Sequence, residues 1–299
     1  MDRHGGVLHH RSVVSFSLKP RDVSDLITES ASRWNSHNAP RLGAALAFYT
    51  LLSVAPLLGV LATIGGLFFG SVRTRAEIVR QVYSVAGPAG AKVVSSILGI
   101  APGAQHGILA TVSGILILFF GASAVLIELR DALNLMWDIP VANGTPLEDV
   151  MQLVRERLFA FVVVLLIGFF LLVSMTVDVI ASALVNTVSP LPVQALHLGA
   201  AAVSFVVITG LFAVIFRFIP DLKLQWTDVL LGALVTSLLF TVGRFLIGFY
   251  LARADYDTLY GNAASSTALL VWVYYSSQIF FFGAAFTKVF ADTFGSQRG

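Results

Sequence analysis

Residues 229–251 read VLLGALVTSLLFTVGRFLIGFYL, with Arg244 as the one charged side chain in the run. A hydrocarbon core about 30 Å thick is crossed by about 20 helical residues. The run is therefore a membrane span. Working outward, Leu42–Val72 and Val93–Ile127 contain no Asp, Glu, Lys or Arg. The second divides at Gly99, Pro102, Gly103 and His106, which read as a loop before a span over Gly107–Ile127. A third span runs from Leu158 past Asp178 towards Asn186. The turn residues Ser189, Pro190, Pro192 and Gln194 separate it from a fourth at about Val193–Phe218. The quoted run is the fifth span, and a sixth covers about Thr267–Phe290.

Composition agrees with a chain built from spans. Of 299 residues, 57% are hydrophobic and 12% charged, and the mean hydropathy is +0.84. A soluble domain carries about 25% charged residues. That contrast excludes a soluble globule and a disordered chain. The lack of cysteine excludes a disulfide scaffold, a thiol nucleophile and cysteine-based metal sites. A β-barrel would show segments of about ten alternating residues instead. A net charge of +2 is too small to argue for nucleic acid. The expected fold is all-α and polytopic: a single domain over residues 21–290, a disordered cytoplasmic tail over 1–20 and a short cytoplasmic tail over 291–299. Charges run through Met1–Arg41 with no apolar core, so no cleavable signal peptide is expected there.

Orientation follows from the basic residues. With the N-terminus inside, 13 of the 19 Lys and Arg fall in inside segments and five in outside segments, with Arg244 within a span. This bias places both termini in the cytoplasm. Val23, Leu26, Ile27, Ser30 and Trp34 share one helical face over residues 21–38, which predicts an amphipathic helix on the inner surface, ended by Pro40. The first outer loop repeats the pattern. Ile78, Val79, Val82 and Val85 precede the turn Gly87-Pro88-Ala89-Gly90, and Val93, Val94, Ile97 and Leu98 follow it, which predicts two short helices over the outer mouth. Such helices commonly do no more than cover a bundle.

Polar groups inside a bilayer are costly, so they mark candidate sites. Asp178 lies about 30 Å into the third span and Arg244 about 24 Å into the fifth, both from the inner side, at about 1.5 Å per residue. An Asp178–Arg244 ion pair or shared cavity is one reading. The other places Asp178 at the outer interface and lets Arg244 snorkel to headgroups. Ser53 and Pro56 in the first span have two readings: a kink that lines the same path, or a proline that only accommodates an uncharged stretch longer than the membrane is thick. Glu128, Arg130 and Asp131, with Asn134, form a candidate inner gate, although a charged helix end is the commoner meaning. Ser174, Thr176, Ser182, Ser204, Thr209, Thr236, Ser237 and Thr241 read mostly as hydroxyls bonding their own helix.

Three strings carry a resemblance: RLGAALAFYTLLSVAPLL over Arg41–Leu58, ELRDALNLMWDIP over Glu128–Pro140, and LYGNAASSTALLVWVYYSSQIFFFGAAFTKVFAD over Leu259–Asp292. In these the chain resembles the YihY/BrkB family of bacterial inner-membrane proteins, formerly labelled ribonuclease BN. Asn134, Trp137, Tyr260, Gly261, Trp272, Tyr274, Gly283 and Ala284 match the family pattern, while the family glutamate is Ala285 here. The resemblance implies six spans with cytoplasmic ends and links to virulence and envelope lipid export, without a settled activity. Tyr260 and Asn262, just before the last span, join the candidate path.

The ribonuclease label finds no support in the residues. Four of the six histidines, His4, His9, His10 and His37, lie before the first span, and His106 and His197 stand alone. The close carboxylate pair Asp255 and Asp257 falls on the outer face, where RNA is absent. No enzyme, no cofactor and no metal site are expected. Two classes remain: a transporter or flippase-like protein moving a lipid or amphiphilic envelope component, and a non-transporting structural or regulatory scaffold. The expected partners are membrane lipids and no nucleic acid, with a homo-oligomer or an envelope partner protein left open.

Overall fold

The computed structural model describes residues 20–100, 124–139, 193–253 and 264–297. Among them the regular elements are all helices: α1 (Pro20–Ser36), α2 (Ala39–Phe69), α3 (Ser71–Ile100), α4 (124–136), α5 (Val193–Phe218), α6 (Trp226–Arg253) and α7 (Ala264–Thr293). Ala39–Thr63, Trp226–Leu251 and Ser266–Thr293 are long and apolar enough to cross a membrane, and Phe205–Phe218 is a shorter apolar helix. These correspond to the first, fifth and sixth expected spans and to part of the fourth. The second span, apart from its last residues, and the third lie outside the described residues.

The α1–α2 joint differs from the expected one. Asn38 takes a left-handed conformation (φ 53°, ψ 42°) and breaks the chain direction, while Pro40 sits in the first turn of α2. Proline lacks only an N–H that a first turn leaves unbonded anyway, so here it starts a helix rather than stopping one. Asparagine tolerates the left-handed region better than most residues. The apolar face of α1 also divides. Leu26 and Ser30 are buried, whereas Val23 and Ile27 remain exposed, because α1 presents Leu26 to Phe286, Val289 and Phe290 of α7.

Only Gly70, at φ 84°, separates α2 from α3. Helical structure runs on through Gly87–Gly90, yet Arg75 Nη1 donates to the Leu98 carbonyl at 2.7 Å across 23 positions. A straight helix would hold these residues about 34 Å apart. The element therefore doubles back, as the glycine–proline turn predicts, and forms a hairpin.

The hairpin packs against the sides of α2 and α7. Val94 and Leu98 pack with Leu58 and Leu61, whereas Val93 packs with Ala47, Leu269 and Val273. Burying Ile78, Val93, Val94 and Leu98 against these helices contributes about 1.5 kcal/mol or more per side chain when the alternative is water.

The core gathers at the other end, called here the α1 end. Trp137, Phe212, Phe216, Phe240, Phe280 and Phe281 form one buried cluster, with Phe216–Phe280 centroids at 5.3 Å and Phe212–Phe240 at 5.7 Å. The backbones of α6 and α7 meet through reciprocal notches. A Cβ on Gly232 would lie 2.7 Å from Thr287 Cβ, and a Cβ on Gly283 would lie 2.8 Å from Thr236 Cβ. Thr236 and Thr287 each donate to the carbonyl four residues back, that of Gly232 and of Gly283, at 2.7 Å. Ser237 and Thr241 do the same, as the sequence predicts for these hydroxyls.

Candidate functional site

Two groups of polar residues stand out, one at the α1 end and one within the bundle. At the α1 end, α4 closes with Asp138 in the left-handed region (φ 55°). The amides of Asp138 and Ile139 bond back to the carbonyls of Leu135 and Asn134, at 3.1 and 2.9 Å, and so satisfy the last turn. This geometry aims the Asp138 carboxylate at α1. His37 Nε2 approaches it at 2.9 Å, and Arg33 pairs with it directly. Arg33 also reaches Asp292 at 3.8 Å, and Lys288 bonds the same Asp292. One charged chain thus links α1, α4 and α7.

A second clasp joins α4 to the turn after α5. Asn134 Nδ2 donates to Asp221 at 2.7 Å, and the Asp221 amide donates back to Asn134 Oδ1 at 3.0 Å. Arg130 holds the other carboxylate oxygen at 2.6 Å. Burial pushes the Asp221 carboxyl up, but the hydrogen bonds from Arg130 and Asn134 and the nearby cations outweigh it and hold it below the usual range. Asp138 follows the same balance. Burial opposes ionisation, and His37 and Arg33 together win. Trp137 sits at the centre, fully buried, and its indole donates to the Ala284 carbonyl at 3.1 Å.

Of the expected inner gate, Arg130 and Asn134 therefore meet on Asp221. Glu128 is partly buried and Asp131 exposed on the same helix. Residues Arg33, His37, Asp138, Asp221 and Asp292 complete the network without having been singled out from sequence.

Within the bundle, Ser53 is buried and donates to the Thr50 carbonyl at 3.2 Å, while Pro56 is partly buried in a helix that continues through it. Arg244 is partly buried on α6, with its guanidinium 5.2 Å from the Phe245 ring centroid. Asp178, Tyr260 and Asn262 lie outside the described residues. Sequence reading passed over Gln278. Its amide fills the notch at Gly43, and both its Nε2 and Oε1 are buried without a hydrogen-bond partner. The Trp272 indole N–H, two turns nearer the hairpin end of α7, is buried and unpartnered as well. The one available signal was that Gln278 is the lone side-chain amide in the last span. Among the described residues, no group of His, Asp or Glu is arranged to hold a metal ion.

A family described as "Virulence factor BrkB" matches residues 30–298, from the middle of α1 to past the end of α7. The chain belongs to the BrkB family. It is similar to a UPF0761 membrane protein of Actinobacillus pleuropneumoniae, 23% identical over 258 residues that cover 85% of this chain and 89% of the relative. UPF0761 membrane proteins of Rhodospirillum centenum (26% over 282 residues, 91% of this chain) and Ralstonia nicotianae (28% over 255 residues, 84% of this chain) are similar too. The match spans only 58% and 55% of those two relatives, so this BrkB-family chain corresponds to a little over half of their length. No solved structure matches it. The protein is an integral membrane protein of that family. Two of the three resemblance strings meet at the Trp137–Ala284 hydrogen bond, which ties the end of α4 to the middle of α7. Ala285, next to Ala284, is fully buried beside it.

Proposed function

We propose that this BrkB-family chain is a six-span transporter or flippase-like protein of the bacterial inner membrane, with both termini cytoplasmic, that moves a lipid or an amphiphilic envelope component. It performs no bond chemistry and needs no cofactor. The observation that carries this reading is the α3 hairpin, inserted beside α2 and α7 and joined to α2 through Gly70 alone. A hairpin joined through one glycine and packed against two spans can shift against them, as discontinuous elements do at transport sites. The unpartnered amide of Gln278 supports the same reading, because a bundle that only filled space would place an apolar side chain there. On this reading Asp178, Arg244, Ser53, Pro56, Tyr260 and Asn262 border the path, and Glu128, Arg130, Asp131 and Asn134 form its inner gate.

A second reading has its own support. The carboxylates Asp138 and Asp221 at the α1 end are both engaged by bases, which suits a non-transporting scaffold with a locked base. Lipid movement separates the two. The protein is reconstituted into vesicles, and a fluorescent lipid analogue is followed by quenching from outside. Because the chain contains no cysteine, a pair introduced at Leu58 and Val94, which share one packed cluster, can fasten the hairpin to α2 by oxidation. Transport predicts lipid movement above protein-free vesicles that stops on oxidation and returns on reduction. Lipid movement at the protein-free rate would favour the scaffold.

A further inference from the structure

The turn from α5 to α6 carries a cationic, aromatic corner that neither the hairpin nor the inner gate uses. Arg217 ends α5 with its guanidinium 5.6 Å over the Trp226 ring, and Phe218 meets the same ring edge-on at 6.1 Å. Lys223 stands exposed between them in sequence, and its ammonium donates to the carbonyls of Pro220 at 2.8 Å and Phe218 at 3.3 Å, leaving one N–H. Arg217 donates to the Leu224 carbonyl, which leaves most of its five donors available.

Charge at this corner is unbalanced. Asp221 is taken up by Arg130 and Asn134. Burial lowers the Lys223 pKa. Asp221 raises it, and the positive charges of Arg217 and Arg130 push it down again. The like charges are therefore felt, and an arriving anion would relieve them.

The corner also has an apolar continuation. Leu211, Val214 and Phe218 form an exposed stripe on α5, and Trp226, Leu230, Leu234 and Leu238 form one on α6, each about half exposed. Both stripes end at the Phe218–Trp226 contact. From Trp226 to Leu238 the second runs about 18 Å, close to half of a bilayer's hydrocarbon thickness.

We propose that the α5–α6 corner binds one anionic phospholipid, with its phosphodiester on Arg217 and Lys223 beside Trp226 and its acyl chains along the two stripes. A headgroup held by Arg and Lys at the membrane surface, with an aromatic side chain at the interface, follows from the chemistry of these side chains. The proposal does not depend on transport, because a lipid bound there serves a transporter or a scaffold equally.

The test uses the full chain in mild detergent, with bound lipid read by native mass spectrometry during titration with phosphatidylglycerol or phosphatidylcholine of matched acyl chains. Wild type should retain phosphatidylglycerol at least tenfold better than phosphatidylcholine. Arg217→Gln with Lys223→Gln should weaken phosphatidylglycerol about 25-fold, at about fivefold per basic residue, and leave phosphatidylcholine unchanged. Because the Arg217 bond to Leu224 helps close the turn, Lys223→Glu alone is the second variant and should weaken phosphatidylglycerol at least fivefold. Equal retention of the two lipids, or unchanged phosphatidylglycerol binding by Lys223→Glu, would overturn the proposal. Displacement of the lipid by equimolar glycerol 3-phosphate would overturn it in favour of a free phosphate ligand.

Discussion

Replacing Gly283 or Gly232 by alanine tests how closely α6 and α7 are locked. The new methyl of Gly283→Ala would lie 2.8 Å from both Cβ and Cγ2 of Thr236, and nearer still to its hydroxyl oxygen. That of Gly232→Ala would meet Thr287 Cβ at 2.7 Å and Cγ2 at 2.8 Å. Rotating the threonine brings no relief, because the Cβ itself is too close. The helices must separate by about 1 Å, and a gap of that size forfeits about a quarter to a half of each contact's dispersion energy. Each single variant should therefore cost about 3 kcal/mol, the upper end of overpacking costs. The two notches lie one helical turn apart along the same interface, so the separation forced by one methyl makes room for the other. The double variant should cost about 4 kcal/mol rather than the sum of about 6. Reversible unfolding in mixed micelles of mild detergent and dodecyl sulfate supplies the double-mutant cycle. A single variant costing under about 0.5 kcal/mol, or a double variant equal to the sum, would refute the shared-separation argument.

Asp138 and Asp221 both ionise more readily in the folded chain than in the unfolded one, so each adds stability at neutral pH that is lost as pH falls through the folded pKa. Acid titration of unfolding should show stability decreasing below about pH 4, and Asp138→Asn with Asp221→Asn should flatten that decline. Gln278→Leu removes two buried polar atoms that lack partners and should stabilise the fold by about 1–2 kcal/mol in the same micelle assay, while abolishing lipid movement if the amide serves the path. Asn38→Val forces a β-branched residue into the left-handed region and should destabilise the α1–α2 joint by about 1–2 kcal/mol, whereas Asn38→Gly should be nearly neutral. Limited proteolysis near residue 38 would read both.

The spans were open to sequence reading because lipid penalises each charge, and runs such as Ala39–Thr63 and Trp226–Leu251 advertise themselves by what they omit. The local hydroxyl bonds of Thr236, Ser237 and Thr241 followed from residue type. Position was harder to read than type. The turn at Gly87–Gly90 announces a hairpin, but its insertion along α2 and α7 depends on how Val93 and Val94 find Ala47 and Leu58, which no local pattern encodes. The period of α1 was visible, yet which edge of the stripe turns inward was settled by Phe286, Val289 and Phe290, far along the chain. Arg33 and Asp138 lie 105 positions apart and share no periodicity. Gln278 was missed because a neutral amide interrupts hydropathy less than a charge does, although its donors and acceptors matter as much to the packing around it.

The network at the α1 end also sets an order of assembly. Arg33 and Leu26 belong to the first described helix, while their partners Asp292, Val289 and Phe290 belong to the last. During synthesis α1 emerges first, and Leu26 has to wait for α7 before it can dock on Val289 and Phe290. Asp138 arrives in between and can hold Arg33 and His37 in the meantime. A ribosome that stalls before α7 would release a chain whose first helix has Leu26 uncovered, a feature by which a cell's degradation machinery can tell unfinished copies from complete ones.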